Sequence, residues 1–125
     1  MPISSRWIGA TLPGQVTTTS PYGRTRKIQG SPIRVCEMLS TLDGVALAAR
    51  VSVDSPKNVM NAKKMIKKAF QNQLDKKGFS IVEVLSTCPT NWGMSPEKSL
   101  EWLRENMMPQ YPLGTYKDID AKEAE

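Results

Sequence analysis

The stretch from Val45 to Leu85 constrains this chain most, because it reads as strand, helix, strand. Val45 to Val53 (VALAARVSV) is largely apolar and bounded by Gly44 and Pro56, and its length and valines predict a buried strand. Ser55 then offers a cap and Pro56 suits a first helical turn. Val59, Ala62, Ile66, Ala69 and Phe70 recur on one helical face, with Lys64, Lys67 and Lys68 opposite. Gly78 stops that helix, and Phe79 to Leu85 (FSIVEVL) alternates before turning apolar, as a strand does. Two strands joined by a helix of about twenty residues lie parallel, in a crossover that is nearly always right-handed. The predicted class is α/β, with parallel strands and crossover helices.

The flanks are less regular. Residues 1–31 are rich in Pro and Gly, carry the run Thr17-Thr18-Thr19-Ser20 and show no periodicity, so they read as an irregular loop segment. A structureless stretch of that length marks a binding loop or a segment supported by a partner. Pro32 suits a first helical position, and Ile33, Cys36, Leu39 and Leu42 follow at near-helical spacing as far as Asp43-Gly44. Cys36 falls on the apolar face and reads as packing. After the loop Ser86 to Met94, Ser95-Pro96-Glu97 repeats the capping pattern, and Leu100, Leu103 and Met107 share a face up to Pro109. Residues 32–116 make up the α/β part, and the polar, acid-rich residues 117–125 read as a solvated tail. Two strands are too few for a parallel sheet covered on both faces, so the sheet needs more than these segments supply.

Composition narrows the chemistry. The chain has 125 residues, two Cys and no His. It therefore lacks an imidazole base, a Ser-His or Cys-His pair and any His metal ligand, and two thiols cannot fill a four-thiolate site. No apolar run approaches a membrane span and no secretory signal is evident. Cys36 and Cys88 lie in unlike contexts without a disulfide framework, which predicts a cytoplasmic protein with reduced thiols. The net charge of +5 is concentrated at Arg24, Arg26 and Lys27 and along the lysine face of the 56–77 helix. That face is most simply solvated, and the aromatics are not interleaved with it as a nucleic-acid surface requires.

The loop after the second strand, Ser86-Thr87-Cys88-Pro89-Thr90-Asn91-Trp92-Gly93, is the place to look for a site, because ligands of open α/β sheets gather at the carboxyl ends of strands. Cys88 there is placed as a metal or cluster ligand would be, but composition alone favours a structural cysteine in a tight turn.

The segments GQVTTTSPYGR (14–24), IRVCEMLSTLDG (33–44), ARVSV (49–53), FSIVEVLSTCPTNWG (79–93) and PQYPLGTYKD (109–118) resemble the C-terminal part of the β subunit of 2-oxoacid:ferredoxin oxidoreductases, in the 2-oxoglutarate or branched-chain class. The resemblance runs from about Thr11 to Asp118 and is most specific at CPTNWG and YPLG. It implies a partial thiamine-diphosphate-binding fold. It also implies an activity, the oxidative decarboxylation of a 2-oxoacid to an acyl-coenzyme A, with thiamine diphosphate, Mg²⁺ and a 4Fe–4S cluster passing electrons to ferredoxin. By the resemblance Cys88 is the last of four cluster cysteines, with Thr87 standing where the family usually has Pro. The other three, and the Gly-Asp-Gly-Asp stretch that holds Mg²⁺ and diphosphate, are absent from the chain. Residues 1–10 do not match the family. The expectation is thus a detached C-terminal piece, split or truncated, that is inactive alone and binds none of these cofactors by itself. Its implied partners are the remaining N-terminal part of the β subunit and the other subunits, with ferredoxin and coenzyme A reached through the complex. Neither nucleic acid nor membrane is expected. The alternative is a non-catalytic interaction module, or a remnant, binding an acidic partner through the lysine-rich helix.

Overall fold

The structure, a computed structural model, describes residues 12–122. These fall into two compact units, residues 34–86 with 108–122 and residues 12–33 with 87–107.

The first unit is built on β1 (Val45–Ser52), β2 (Phe79–Leu85) and β3 (Gly114–Asp118), ordered β2-β1-β3. β1 pairs in parallel with β2, from Val45 opposite Phe79 to Ser52 opposite Leu85, as the crossover pattern predicts. With neighbours on both edges and helices on both faces, every residue of β1 is buried. The third strand makes the sheet mixed: β3 pairs antiparallel with β1, Leu47 opposite Asp118 and Arg50 opposite Gly114.

Helix α3 (Pro56–Leu74) connects β1 to β2. The side chain of Ser55 accepts from the Asn58 backbone N–H at 3.3 Å and Pro56 occupies the first turn, where a missing N–H costs nothing. The helix ends at Leu74, and the chain turns back through Lys76 (φ 54°) and Gly78 (φ 132°). A Cβ on Gly78 would lie 2.7 Å from the carbonyl oxygen of Gly44, so the entry to β2 is closed against the entry to β1. The buried positions of α3 are Ala62 and Asn72, and the Asn72 amide donates to the Ser80 hydroxyl at 3.3 Å. Ile66 and Phe70, expected on the core face, are exposed, because the sheet beneath α3 ends at β2.

Helix α2 (Val35–Ser40) begins three residues after Pro32 and buries Cys36 completely. It covers the opposite face of the sheet, since its Glu37 binds Arg50, which also binds Glu83. Ser80 and Glu83 are three residues apart on a strand and therefore point to opposite faces. The polar end of the chain is not wholly solvated. Lys117 and Asp118 complete β3, and α7 (Ile119–Lys122) follows. Lys68 pairs with Asp118 at 2.5 Å and Lys77 with Asp120 at 2.6 Å, tying this segment to α3 and the turn after it.

In the second unit, residues 12–25 form a looped segment with an isolated bridge between Thr17 and Ser20, and α1 (Arg26–Gln29) follows. The expected loop over residues 86–94 instead contains a helical turn, α4 (Pro89–Trp92). Helix α5 (Pro96–Trp102) begins at Ser95, whose side chain accepts from the Lys98 N–H at 3.3 Å. It widens into a π-helical segment, Leu103–Met107, with Leu103 and Met107 buried as expected. Pro109 does not end the helical path: it is the second residue of α6 (Met108–Gln110), which belongs to the first unit. Trp92 and Trp102 pack with ring centroids 4.8 Å apart. Residues 1–11 of the proposed N-terminal loop, and 123–125, lie outside the described residues. Among the described residues no helix is long and apolar enough to cross a membrane.

Candidate functional site

Cys88 stands three residues beyond the end of β2 and caps α4. Its backbone lies outside both the helical and the extended regions (φ −133°, ψ 75°), its carbonyl accepts from the Trp92 N–H at 2.9 Å and its side chain is exposed. The turn it opens is closed by Gly93, whose left-handed φ of 65° lets Met94 N–H reach the Pro89 carbonyl at 3.0 Å. Burial of Trp92 anchors the other end of the turn.

The threonine run is bound to the same turn. Thr18 N–H donates to the Asn91 carbonyl at 3.0 Å, and the Thr18 hydroxyl makes a second, short hydrogen bond to Asn91 Oδ1. Thr19 Oγ1 reaches that oxygen at 3.5 Å. The run is itself shaped by Thr17 and Ser20, which exchange backbone hydrogen bonds at 3.2 and 3.0 Å, and by the Gly14 N–H on the Arg24 carbonyl at 2.7 Å. Two segments some seventy residues apart therefore fix the turn that presents the Cys88 thiol. Both segments stand out in the sequence, but nothing local there signals a bond between Thr18 and Asn91.

Chemically, this arrangement holds one accessible thiol on a backbone restrained from both sides. It fits one corner of a metal cluster. Among the described residues no three His, Cys, Asp or Glu side chains gather as metal ligands. Cys36 offers no second thiolate. Its Sγ donates to the Ala49 carbonyl at 3.4 Å, and burial, reinforced by the nearby Glu83, pushes its thiol up to about 12.

A second polar constellation escaped sequence analysis. The side chain of Arg50, within the largely apolar β1, is completely buried. Its Nε donates to Glu83 at 2.8 Å, and Nη1 and Nη2 grip both oxygens of Glu37 at 3.0 and 2.7 Å. Nη1 also donates to the Tyr116 hydroxyl at 2.9 Å and the Pro112 carbonyl at 3.2 Å. The guanidinium lies 5.3 and 5.1 Å from the ring centroids of Tyr111 and Tyr116. Hydrogen bonds from Arg50 hold the Glu37 carboxyl below the usual range. A guanidinium committed to internal acceptors on all three nitrogens is a fastening for α2, β1, β2 and the segment before β3, not an anion site. The lysine face divides likewise: Lys68 is engaged by Asp118 and Asp120, while Lys63, Lys64 and Lys67 are exposed.

No protein-family model matches the chain, and no solved structure does. Curated relatives do. The ketoisovalerate oxidoreductase subunit VorA of Methanothermobacter thermautotrophicus is 39% identical over 112 residues, 90% of this chain and 24% of the relative. The 2-oxoglutarate synthase subunit KorB of Methanocaldococcus jannaschii is 29% identical over 115 residues, 88% of this chain and 40% of the relative. The pyruvate synthase subunit PorB of the same organism is 32% identical over 85 residues, 68% and 26% of the two chains. These bear out the resemblance read from the sequence, and the chain spans about a quarter to two-fifths of the length of these relatives. A match of 112 residues on a chain of 125 covers residues 14–112 wherever it starts, and so includes Cys88 and the threonine run.

Proposed function

We propose, from the resemblance of this chain to part of a 2-oxoacid:ferredoxin oxidoreductase subunit, that it works as that part of such an enzyme. In the assembly it contributes to the oxidative decarboxylation of a 2-oxoacid to an acyl-coenzyme A, with electrons leaving to ferredoxin in the cytoplasm. It is inactive alone. The observation that carries the reading is the Cys88 turn, an exposed thiol on a doubly fastened backbone inside the segment shared with the relatives.

Cys88 supplies one thiolate to a 4Fe–4S cluster, which carries single electrons when bound. Asn91, held by Thr18 and Thr19, fixes the direction of that thiolate. Trp92 on Trp102 keeps one side of the turn apolar. The other three thiolates, and the groups that hold thiamine diphosphate and Mg²⁺, come from polypeptide outside the described residues.

Co-expression with the remaining parts of such an enzyme tests the reading. The complex is expected to reduce a viologen dye only when both a 2-oxoacid and coenzyme A are present, and the chain alone is expected to be inert. Failure to associate with those parts contradicts it.

A further inference from the structure

The two edges of β1 are held by different forces. With β2 it pairs without interruption from Leu47 to Ser52. With β3 it pairs only at Leu47, Ala48, Ala49 and Arg50, and the register slips between Ala48 and Ala49. Every residue of β1 is buried, whereas none from Pro112 to Ala121 is fully buried. The chain from Pro112 to the end of α7 therefore adds little to the core, and charge fastens it instead. Lys68 holds Asp118 at 2.5 Å and Asp120 at 3.4 Å, and Lys77 holds Asp120 at 2.6 Å. Lys117 donates to the carbonyls of Leu42 and Asp43, just past the end of α2. Beside that contact a cleft of about 590 Å³ separates Thr41 and Asp43 from Thr115 and Tyr116, so packing does not back β3 there.

Arg50 divides its bonds along the same line. Its carboxylate partners, Glu37 and Glu83, belong to α2 and β2. The segment before and within β3 offers it only neutral acceptors, the Pro112 carbonyl and the Tyr116 hydroxyl. Departure of that segment would leave both ion pairs in place and the β1–β2 ladder closed.

We infer that residues 112–122 form a charge-operated strap that opens from β1 as one unit, ahead of β2 and α3, and that salt releases it. Half-exposed ion pairs are screened by salt, whereas apolar burial is not weakened by it. A segment with little buried apolar surface also opens at a lower free energy than the core. Opening bares the backbone of β1 from Leu47 to Arg50 and removes two of the three acceptors of Arg50 Nη1. The state of the strap thus decides whether that buried guanidinium can be reached.

Amide exchange of the full 125-residue chain tests this at about 0.1 M and about 1 M sodium chloride, where the screening length falls from about 10 Å to about 3 Å. Exchange across Gly114–Asp118 is expected to accelerate about tenfold at the higher salt, while the slowest amides of β2 and α3 change less than about twofold. The double variant Lys68→Gln, Lys77→Gln is expected to show the fast β3 exchange already at the lower salt and to lose most of the salt response. Asp120→Asn, which takes one carboxylate from both lysines, should move exchange the same way by a smaller factor. Lys64→Gln, on the exposed face of α3, should leave it unchanged. Exchange of β3 in step with β2 and α3 at both salt concentrations overturns the strap. A salt response that survives intact in both the double variant and Asp120→Asn overturns its operation by charge.

Discussion

Arg50 on β1 lies directly opposite Glu83 on β2, and its Nε donates to Glu83 Oε2 at 2.8 Å while its remaining nitrogens hold Glu37 on α2. A buried guanidinium between two carboxylates welds two strands and a helix, and removing it strands both acids. Arg50→Met is expected to lower unfolding free energy by about 3–5 kcal/mol, whereas Lys64→Ala on the exposed face stays within about 0.5. Urea denaturation followed by circular dichroism reads both.

The same cluster sets an acid limit. The Glu37 carboxyl is depressed, chiefly by its hydrogen bonds from Arg50, so its contribution is present above the ordinary carboxylate range. It is lost as pH falls through the folded-state value. Melting temperature is expected to fall on acidification below about pH 4, and Glu37→Gln should flatten that slope while lowering the value at neutral pH. An equal slope in the variant and the wild type would remove Glu37 as its source.

Thiol chemistry separates the two cysteines. Cys88 is exposed, whereas Cys36 is buried, hydrogen-bonded and held protonated. Iodoacetamide at pH 8 is expected to label Cys88 at least about a hundredfold faster than Cys36, which reacts only on opening of α2 from the sheet. Peptide mass mapping over time measures the ratio.

Gly78→Ala is expected to cost about 1–3 kcal/mol, because its φ is left-handed and the new methyl would meet the Gly44 carbonyl. Gly93→Ala faces open space and bears only the conformational cost, so the loss should be the smaller of the two. Thermal melts of the pair test that order.

Much of the sheet was legible beforehand because β1, α3 and β2 announce themselves locally, through valine-rich runs, the Ser55-Pro56 start and the Gly78 stop. β3 has no such signal: Gly114–Asp118 is short and polar and becomes a strand only by pairing with β1. That pairing also turned acidic residues of the supposed tail into partners of Lys68 and Lys77. Arg50 was visible only as a charge interrupting an apolar strand. Its acceptors depend on register and on where α2 packs, which periodicity does not encode. Helical spacing puts Ile66 and Phe70 on the apolar face of α3, but the described sheet is too narrow to bury them. For the candidate site, the position of Cys88 was readable, but its fastening through Asn91 to Thr18 was not.

The most direct measurement is the iron content of the chain assembled with the rest of a 2-oxoacid oxidoreductase, compared among wild type, Cys88→Ser and Cys36→Ser. The expected result is full 4Fe–4S iron in wild type and Cys36→Ser, with loss of iron and of the reduced-cluster electron paramagnetic resonance signal in Cys88→Ser. Equal iron and an unchanged signal in Cys88→Ser would contradict the account.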